Sequence, residues 1–352
     1  MITNAISVGE SAIGAGYGLA TALDTSVTLS NMTAVATTLD EEITASAFEP
    51  MVRRLNDLSV RKHFDAYVDV PWDEFPIDPT DPRWELHHTD PLGGTEWYRS
   101  QPQEVRARLG LDLVANKMQV GYFFEGVLKR GLLEHATRLA AGSPELRYVY
   151  HEVIEEAHHS LMFQEFCGRA GHGTVAKVPR RARVGAQRVV AMARRFPELF
   201  FVFVLGGEDP IDHMQRETLR AAKDAERDLH PLLERIMRIH VTEEARHLSF
   251  ARNWLRDRVP SLGIVRRSIL AVAAPLILGE MGGMMLKPAA DVVRTYAIPK
   301  AVLREAYTDN AAFQATAPDA LRKVRMLCRE LGLIRTPITR RLWKSKGIWA
   351  DD

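Results

Sequence analysis

Apolar residues recur at three- and four-residue spacing from about 105 to 140, and the pattern returns over about 145–168, 183–224 and 230–257. That period buries one face of a helix, so four long core helices are predicted. The breaks carry their own signals. "AGSPEL", 141–146, offers Ser143 as an N-cap and Pro144 at the first helical position. Gly171 and Gly173 mark a loop, and Pro260 ends the last core helix. "GGEDP", 206–210, suggests a kink inside or between helices. Further helices are expected at 262–280, 288–295, 298–307 and 315–331. No alternating stretch of useful length argues for a strand, so the fold class is all-α.

Outside these helices the pattern weakens. Residues 1–40 are rich in Ala, Thr, Ser and Gly and are expected to be a flexible tail. Residues 41–70 show weak helical periodicity. The stretch 70–94 is dense in Pro, Asp and Gly, yet Trp72, Phe75 and Trp84 would seek burial. An ordered segment wrapped on the helices is the expectation. One helical domain over 41–335, followed by a tail at 336–352, completes the plan.

Composition narrows the function classes. The 352 residues are 46% apolar with a formal charge of +1, which points to no charged partner. The short basic clusters Arg180–Arg183 and Arg335–Lys346 look like solvated faces, and no nucleic-acid motif is present. Two cysteines, Cys167 and Cys328, make no disulfide framework, so a reducing, cytoplasmic setting is expected. The most apolar stretch, 268–286, is cut by Glu280 and several glycines, and no integral membrane segment is expected.

The candidate chemistry lies in an internal echo. "IEEAHHSLMF", 154–163, aligns with "TEEARHLSFA", 242–251, placing Glu156 over Glu244 and His159 over His247. In each Glu-x-x-His unit the two side chains share a helix face about 4.5 Å apart along the axis, which suits one metal ion. Two units supply two metals, and a further Glu from each of two other helices completes a carboxylate-bridged cage. Glu125, in "VGYFFEGVL", and Glu208, after "LFFVFVLGG", occupy apolar runs that a surface glutamate would not. Glu134 and Glu217 are the rivals. His240 stands four residues before Glu244 and seven before His247, within about 40° of both around the helix. It is a candidate third imidazole. Four carboxylates would neutralise two divalent cations, and the mixed O/N donors suit iron, with manganese as the alternative. Glu155 and Glu243 point about 100° away, where each could accept a hydrogen bond from behind the ligands or face solvent.

With the His-x-x-x-Glu-x-x-His triplet His240, Glu244 and His247, the sequence resembles the arylamine N-oxygenases, typified by p-aminobenzoate N-oxygenase, among the ferritin-like di-iron proteins. The motifs that carry this are Glu125, Glu156 with His159, Glu208, and the final triplet, within about 105–257. The resemblance implies a ferritin-like bundle and two iron ions held by those seven residues. It implies O₂ as co-substrate, an external electron donor and a small-molecule substrate such as an aromatic amine. Glu156 and Glu244 would bridge the metals. His159 would cap one metal and His240 with His247 the other, with Glu125 and Glu208 terminal. Hydroxylation or desaturation at carbon, and metal storage, are the competing readings. A homodimer is expected from base rates of symmetry.

Overall fold

A computed structural model describes residues 48–172, 180–224, 228–285 and 287–351. The expected tail at 1–40 lies outside the described residues. Among these residues every regular element is helical: α1 (Phe48–Arg61), α2 (Glu96–Arg99), α3 (Gln103–Ala136), α4 (Pro144–Arg169), α5 (Arg180–Arg195), α6 (Pro197–Asp224), α7 (Pro231–Arg258), α8 (Ile264–Met285), α9 (Ala290–Thr295), α10 (Lys300–Tyr307), α11 (Ala311–Ala320), α12 (Arg322–Glu330) and α13 (Pro337–Ser345). The fold is all-α and consistent with a ferritin-like bundle carrying extra helices at both ends.

Two long hairpins form the bundle. In the first, α3 pairs with α4, and in the second α6 pairs with α7. The first turn is built as its residues dictate: Ser143 accepts the Leu146 amide at 3.2 Å, and Pro144 fills the first turn, where an N–H would have no helical partner. Between the hairpins, α5 lies against α3 and α6. The expected single helix over 183–224 is therefore two, divided at Phe196. Pro197 begins the second, because proline disfavours helical backbone in the residue before it.

No break occurs at 206–210: α6 runs through Pro210 to Asp224. The glycines there serve close approach. A Cβ on Gly207 would stand 2.1 Å from the Phe124 ring of α3, so only glycine lets the two hairpins meet at that level.

The outer elements close the bundle. Helix α1 packs on α4 and α7. The 70–94 segment wraps it, with Trp72 and Trp84 buried and Phe75 half-buried. Trp84 stacks on His230 with ring centroids 4.4 Å apart. Its carbonyl oxygen would be 1.8 Å from a Cβ at Gly110, so glycine is required there too. At the other end α8 packs along α6 and also meets α13. The expected tail at 336–352 is largely not a tail: Thr336 caps α13 with a capping box, and Trp343 and Ile348 are buried in the main core. Cys167 and Cys328 are buried free thiols. No helix among the described residues is long and apolar enough to cross a membrane.

Candidate metal centre

The four long helices bring all seven predicted ligands to one level. Helix α3 supplies Glu125, α4 supplies Glu156 and His159, α6 supplies Glu208, and α7 supplies His240, Glu244 and His247. Each is at most 2% exposed. Buried carboxylates and imidazoles at this density are sustained only by partners or by metal. Three trios have ligand atoms within 4.8 Å of one another: Glu125 with His159 and His240, Glu156 with His159 and Glu244, and Glu208 with His240 and Glu244. Of the rivals, Glu217 is exposed and paired with Arg220, and neither it nor Glu134 belongs to these trios; His247, also outside them, joins the cluster through Nδ1, 2.9 Å from Glu156 Oε1.

Glu156 and Glu244 occupy the centre. Glu156 Oε1 lies 2.9 Å from His247 Nδ1, and its Oε2 lies 3.7 Å from His159 Nδ1. Glu244 Oε1 is 3.2 Å from His247 Nδ1 and 3.5 Å from His159 Nδ1. Both carboxylates thus stand between the two imidazoles. His240 presents its other nitrogen: Nε2 is 3.7 Å from Glu125 Oε1 and 3.8 Å from Glu244 Oε1. Its ring centroid lies 4.6 Å from that of His159, so His240 borders the Glu125–His159 side as well as Glu208. The sequence pattern had paired it with His247.

Two glutamates behind the cage set the imidazole tautomers. His247 Nε2–H donates to Glu155 Oε2 at 2.8 Å, and His159 Nε2–H donates to Glu243 Oε2 at 2.8 Å. A carboxylate can only accept, so a proton stays on Nε2 and Nδ1 is the nitrogen that faces the cage. The bracing is crosswise: the glutamate preceding each Glu-x-x-His supports the histidine of the other helix. Arg246 joins the two, 2.9 Å from Glu155 and 3.5 Å from Glu243. The repeated Glu-Glu-x-x-His carried this signal. Helical angles alone left open whether these residues faced solvent, and both are buried.

Three residues went unread in the sequence. Glu152 is fully buried and sits one turn before Glu156, the position His240 holds relative to Glu244. Ser160 donates from Oγ to Glu125 Oε2 at 2.7 Å. Lys129 donates to Ser160 Oγ and, at 3.0 Å, to the Glu156 carbonyl. A lysine and a serine at helical spacing look like ordinary surface residues, and only the α3–α4 packing brings them together.

The electrostatics divide the carboxylates. Burial pushes Glu208 well above the usual carboxylate range, with Glu244 and Glu156 adding repulsion, and burial also raises Glu125. At Glu156 burial acts in the same direction, but the adjoining His159 and His247 imidazoles outweigh it and hold the group low. His159 and His247 are raised well above their ordinary value: burial opposes, and the surrounding carboxylates prevail.

The donor set fits two cations. Both oxygens of Glu208, Oε1 of Glu125, Oε2 of Glu244 and Nδ1 of His159 are buried without a hydrogen-bond partner. Four carboxylates balance two divalent ions, and three imidazoles add neutral donors. This is a carboxylate-rich di-metal site.

The chain matches the family described as P-aminobenzoate N-oxygenase AurF over residues 45–332. That span includes the wrapping segment and α8 to α12, so the likeness extends well beyond the bundle. Uncharacterized proteins of Mycobacterium tuberculosis (strain CDC 1551 / Oshkosh) and Mycobacterium bovis (strain ATCC BAA-935 / AF2122/97) are similar to it throughout. Each is 39% identical over 296 residues, covering 84% of this chain and 85% of the relative.

Proposed function

The chain belongs to the P-aminobenzoate N-oxygenase AurF family of non-haem di-iron oxygenases, and on that premise we propose that it oxidises the nitrogen of a small amine with O₂, using two irons held by Glu125, Glu156, His159, Glu208, His240, Glu244 and His247. The observation that carries this reading is the third imidazole, His240, buried in the cage and aiming Nε2 between Glu125 and Glu244. In overall balance, amine, O₂, two electrons and two protons give hydroxylamine and water. An external donor supplies the electrons.

When bound, the metal pair supplies the O₂ and electron-transfer chemistry. The protein's residues do the rest. Glu156 and Glu244, standing between the histidines, are suited to bridge. Glu155 and Glu243 hold the Nε2 protons of His247 and His159 and so aim Nδ1 inward as the nitrogen a metal would take. The aromatic and aliphatic walls, including Phe163 stacked 5.5 Å from the His240 ring, limit the access of bulk water. A homodimer is part of the proposal. On α8, Val265, Ile269, Val272 and Leu276 follow i, i+4, i+7, i+11 spacing and are 71%, 50%, 43% and 41% exposed, a seam that a second copy would cover.

The test is a single turnover. Iron-loaded protein is reduced and then exposed to O₂ with and without p-aminobenzoate, and metal content, absorption spectrum and products are followed. Two irons per chain and a hydroxylamine or nitro product support N-oxygenation. Two irons with oxidation only at carbon of an amine or hydrocarbon substrate transfers the reading to a hydroxylase. No metal after loading of folded protein rejects the cage.

A further inference from the structure

The two halves of the cage are related by the internal echo, yet their terminal glutamates are held differently. Glu125 Oε2 accepts from Ser160 at 2.7 Å, while Oε1 has no hydrogen-bond partner and faces His240 Nε2 at 3.7 Å and His159 Nδ1 at 4.0 Å. Glu208 has no hydrogen-bond partner on either oxygen. The echo explains the difference. In the register that places Glu156 over Glu244, Ser160 falls over Leu248, which is buried and cannot donate. One turn beyond Glu125 stands Lys129, and one turn beyond Glu208 stands Asp212, which is committed to Arg216 at 2.8 Å.

Resting on the di-metal reading above, we propose that Lys129 and Ser160 are a positioning pair that restricts Glu125 to single-oxygen ligation and so makes the two metal positions inequivalent. The chain of donors is directional. The Lys129 ammonium has no acceptor capacity, so it must donate to Ser160 Oγ, and the serine proton is then directed to Glu125. A donor that is itself bonded to a cation is polarised and holds its acceptor more firmly. The second Lys129 bond, to the Glu156 carbonyl at 3.0 Å, fixes the ammonium over the α4 turn that also carries Ser160. Glu125, with Oε2 held, has Oε1 as its one oxygen free of a hydrogen bond for a cation. Glu208 keeps both.

The pair also forms the wall between the cage and the outside. Lys129 and Ser160 line a groove of about 450 Å³ on the α3–α4 face, together with Tyr122, Phe123, Gly126 and Leu161. Substitutions there are reached from the surface and remove no predicted ligand.

The experiment titrates the full metal-free chain with Co(II) and Fe(II), following stoichiometry, stepwise affinity and the Co(II) d–d spectrum. The wild type is expected to bind two ions with distinct affinities. Ser160→Ala should weaken one of the two by roughly ten-fold or more, leave the other unchanged and alter the spectrum of the weakened site. Ser160→Thr, which keeps the hydroxyl, should restore it. Lys129→Met should move the same site in the same direction, and it serves as the independent variant if Ser160→Ala unfolds. In a Glu125→Ala background Ser160→Ala should add nothing. Two wild-type-like affinities and an unaltered spectrum in Ser160→Ala and Lys129→Met would overturn the inference while leaving the cage intact. Equal weakening of both sites would also overturn it. A wild type that binds no metal overturns the cage and this inference together.

Discussion

Glu155→Gln tests the crosswise bracing with little change of shape. The carboxylate is 3% exposed and takes a 2.8 Å bond from His247 Nε2 and a 2.9 Å ion pair from Arg246. Burial alone would raise its pKa, but His247 and Arg246 outweigh burial and hold it at about 2. Against an ordinary glutamate value of about 4.3, that depression is worth about 3 kcal/mol in metal-free protein. A charge-assisted bond judged independently gives about 1.5–3 kcal/mol, so the two routes agree in order of magnitude. Because the folded value is depressed, the contribution is complete above about pH 4.3 and is lost as pH falls towards 2. Urea denaturation of the metal-free protein should therefore show Glu155→Gln less stable at pH 7 by about 2 kcal/mol. The gap should close in acid. Metal affinity should fall about 10- to 100-fold, since the His247 ring loses its anionic support. Glu155→Gln with Glu243→Gln removes both carboxylates beside Arg246, which is 5% exposed, and should cost more than the sum of the single changes. Unchanged urea midpoints with unchanged metal affinity would refute the bracing, and strict additivity would refute the role given to Arg246.

Other consequences follow from packing and charge. Gly207→Ala forces a Cβ to within 2.1 Å of the Phe124 ring and should cost about 1–3 kcal/mol by urea denaturation, with metal uptake impaired because Glu208 is the next residue. Trp343→Ala should cost about 3–5 kcal/mol in the same assay if α13 is integral to the core; a change within error would return 336–352 to the status of a tail. His172 is raised by its 2.9 Å bond to Asp112, so its ion pair stabilises fully below about pH 6.5 and loses effect as pH rises through the raised value. With a side chain 31% exposed, the worth is about 0.5 kcal/mol after screening, and His172→Gln should flatten stability across neutral pH by that amount.

The helices and the convergence of Glu125 and Glu208 on the paired Glu-x-x-His units were legible because a helix fixes angular position from sequence separation alone. A glutamate inside "VGYFFEGVL" announces burial by its neighbours. What escaped depended on the second coordinate, distance across helices. Pro197 divides α5 from α6, but the apolar period runs on through it, and the period outweighed the proline. "GGEDP" carries the residues of a break, yet Gly207 answers to Phe124, 83 positions earlier, and Gly206 to Leu278, 72 positions later. Residues 336–352 read as a tail, yet Thr339 and Trp343 of α13 and Ile348 beyond it are buried.

The echo itself shows where legibility ends. Copying Glu-Glu-x-x-His onto two antiparallel-paired helices yields near-symmetry at Glu156, His159, Glu244 and His247, and the crosswise bracing by Glu155 and Glu243 follows from that copy. Symmetry then fails at the flanking positions. One turn before the central glutamate stands Glu152 in one half and His240 in the other, and one turn after it Ser160 faces Leu248. Any difference between the two metal positions would therefore come from these flanking positions: the added imidazole at His240 and, on the proposal above, the carboxylate of Glu125 held by Ser160. His240 borders both terminal carboxylates: its Nε2 is 3.7 Å from Glu125 Oε1, and it also groups with Glu208 and Glu244. On the proposal above, Glu208, with no hydrogen-bond partner on either oxygen, is then the terminal carboxylate left free to adjust.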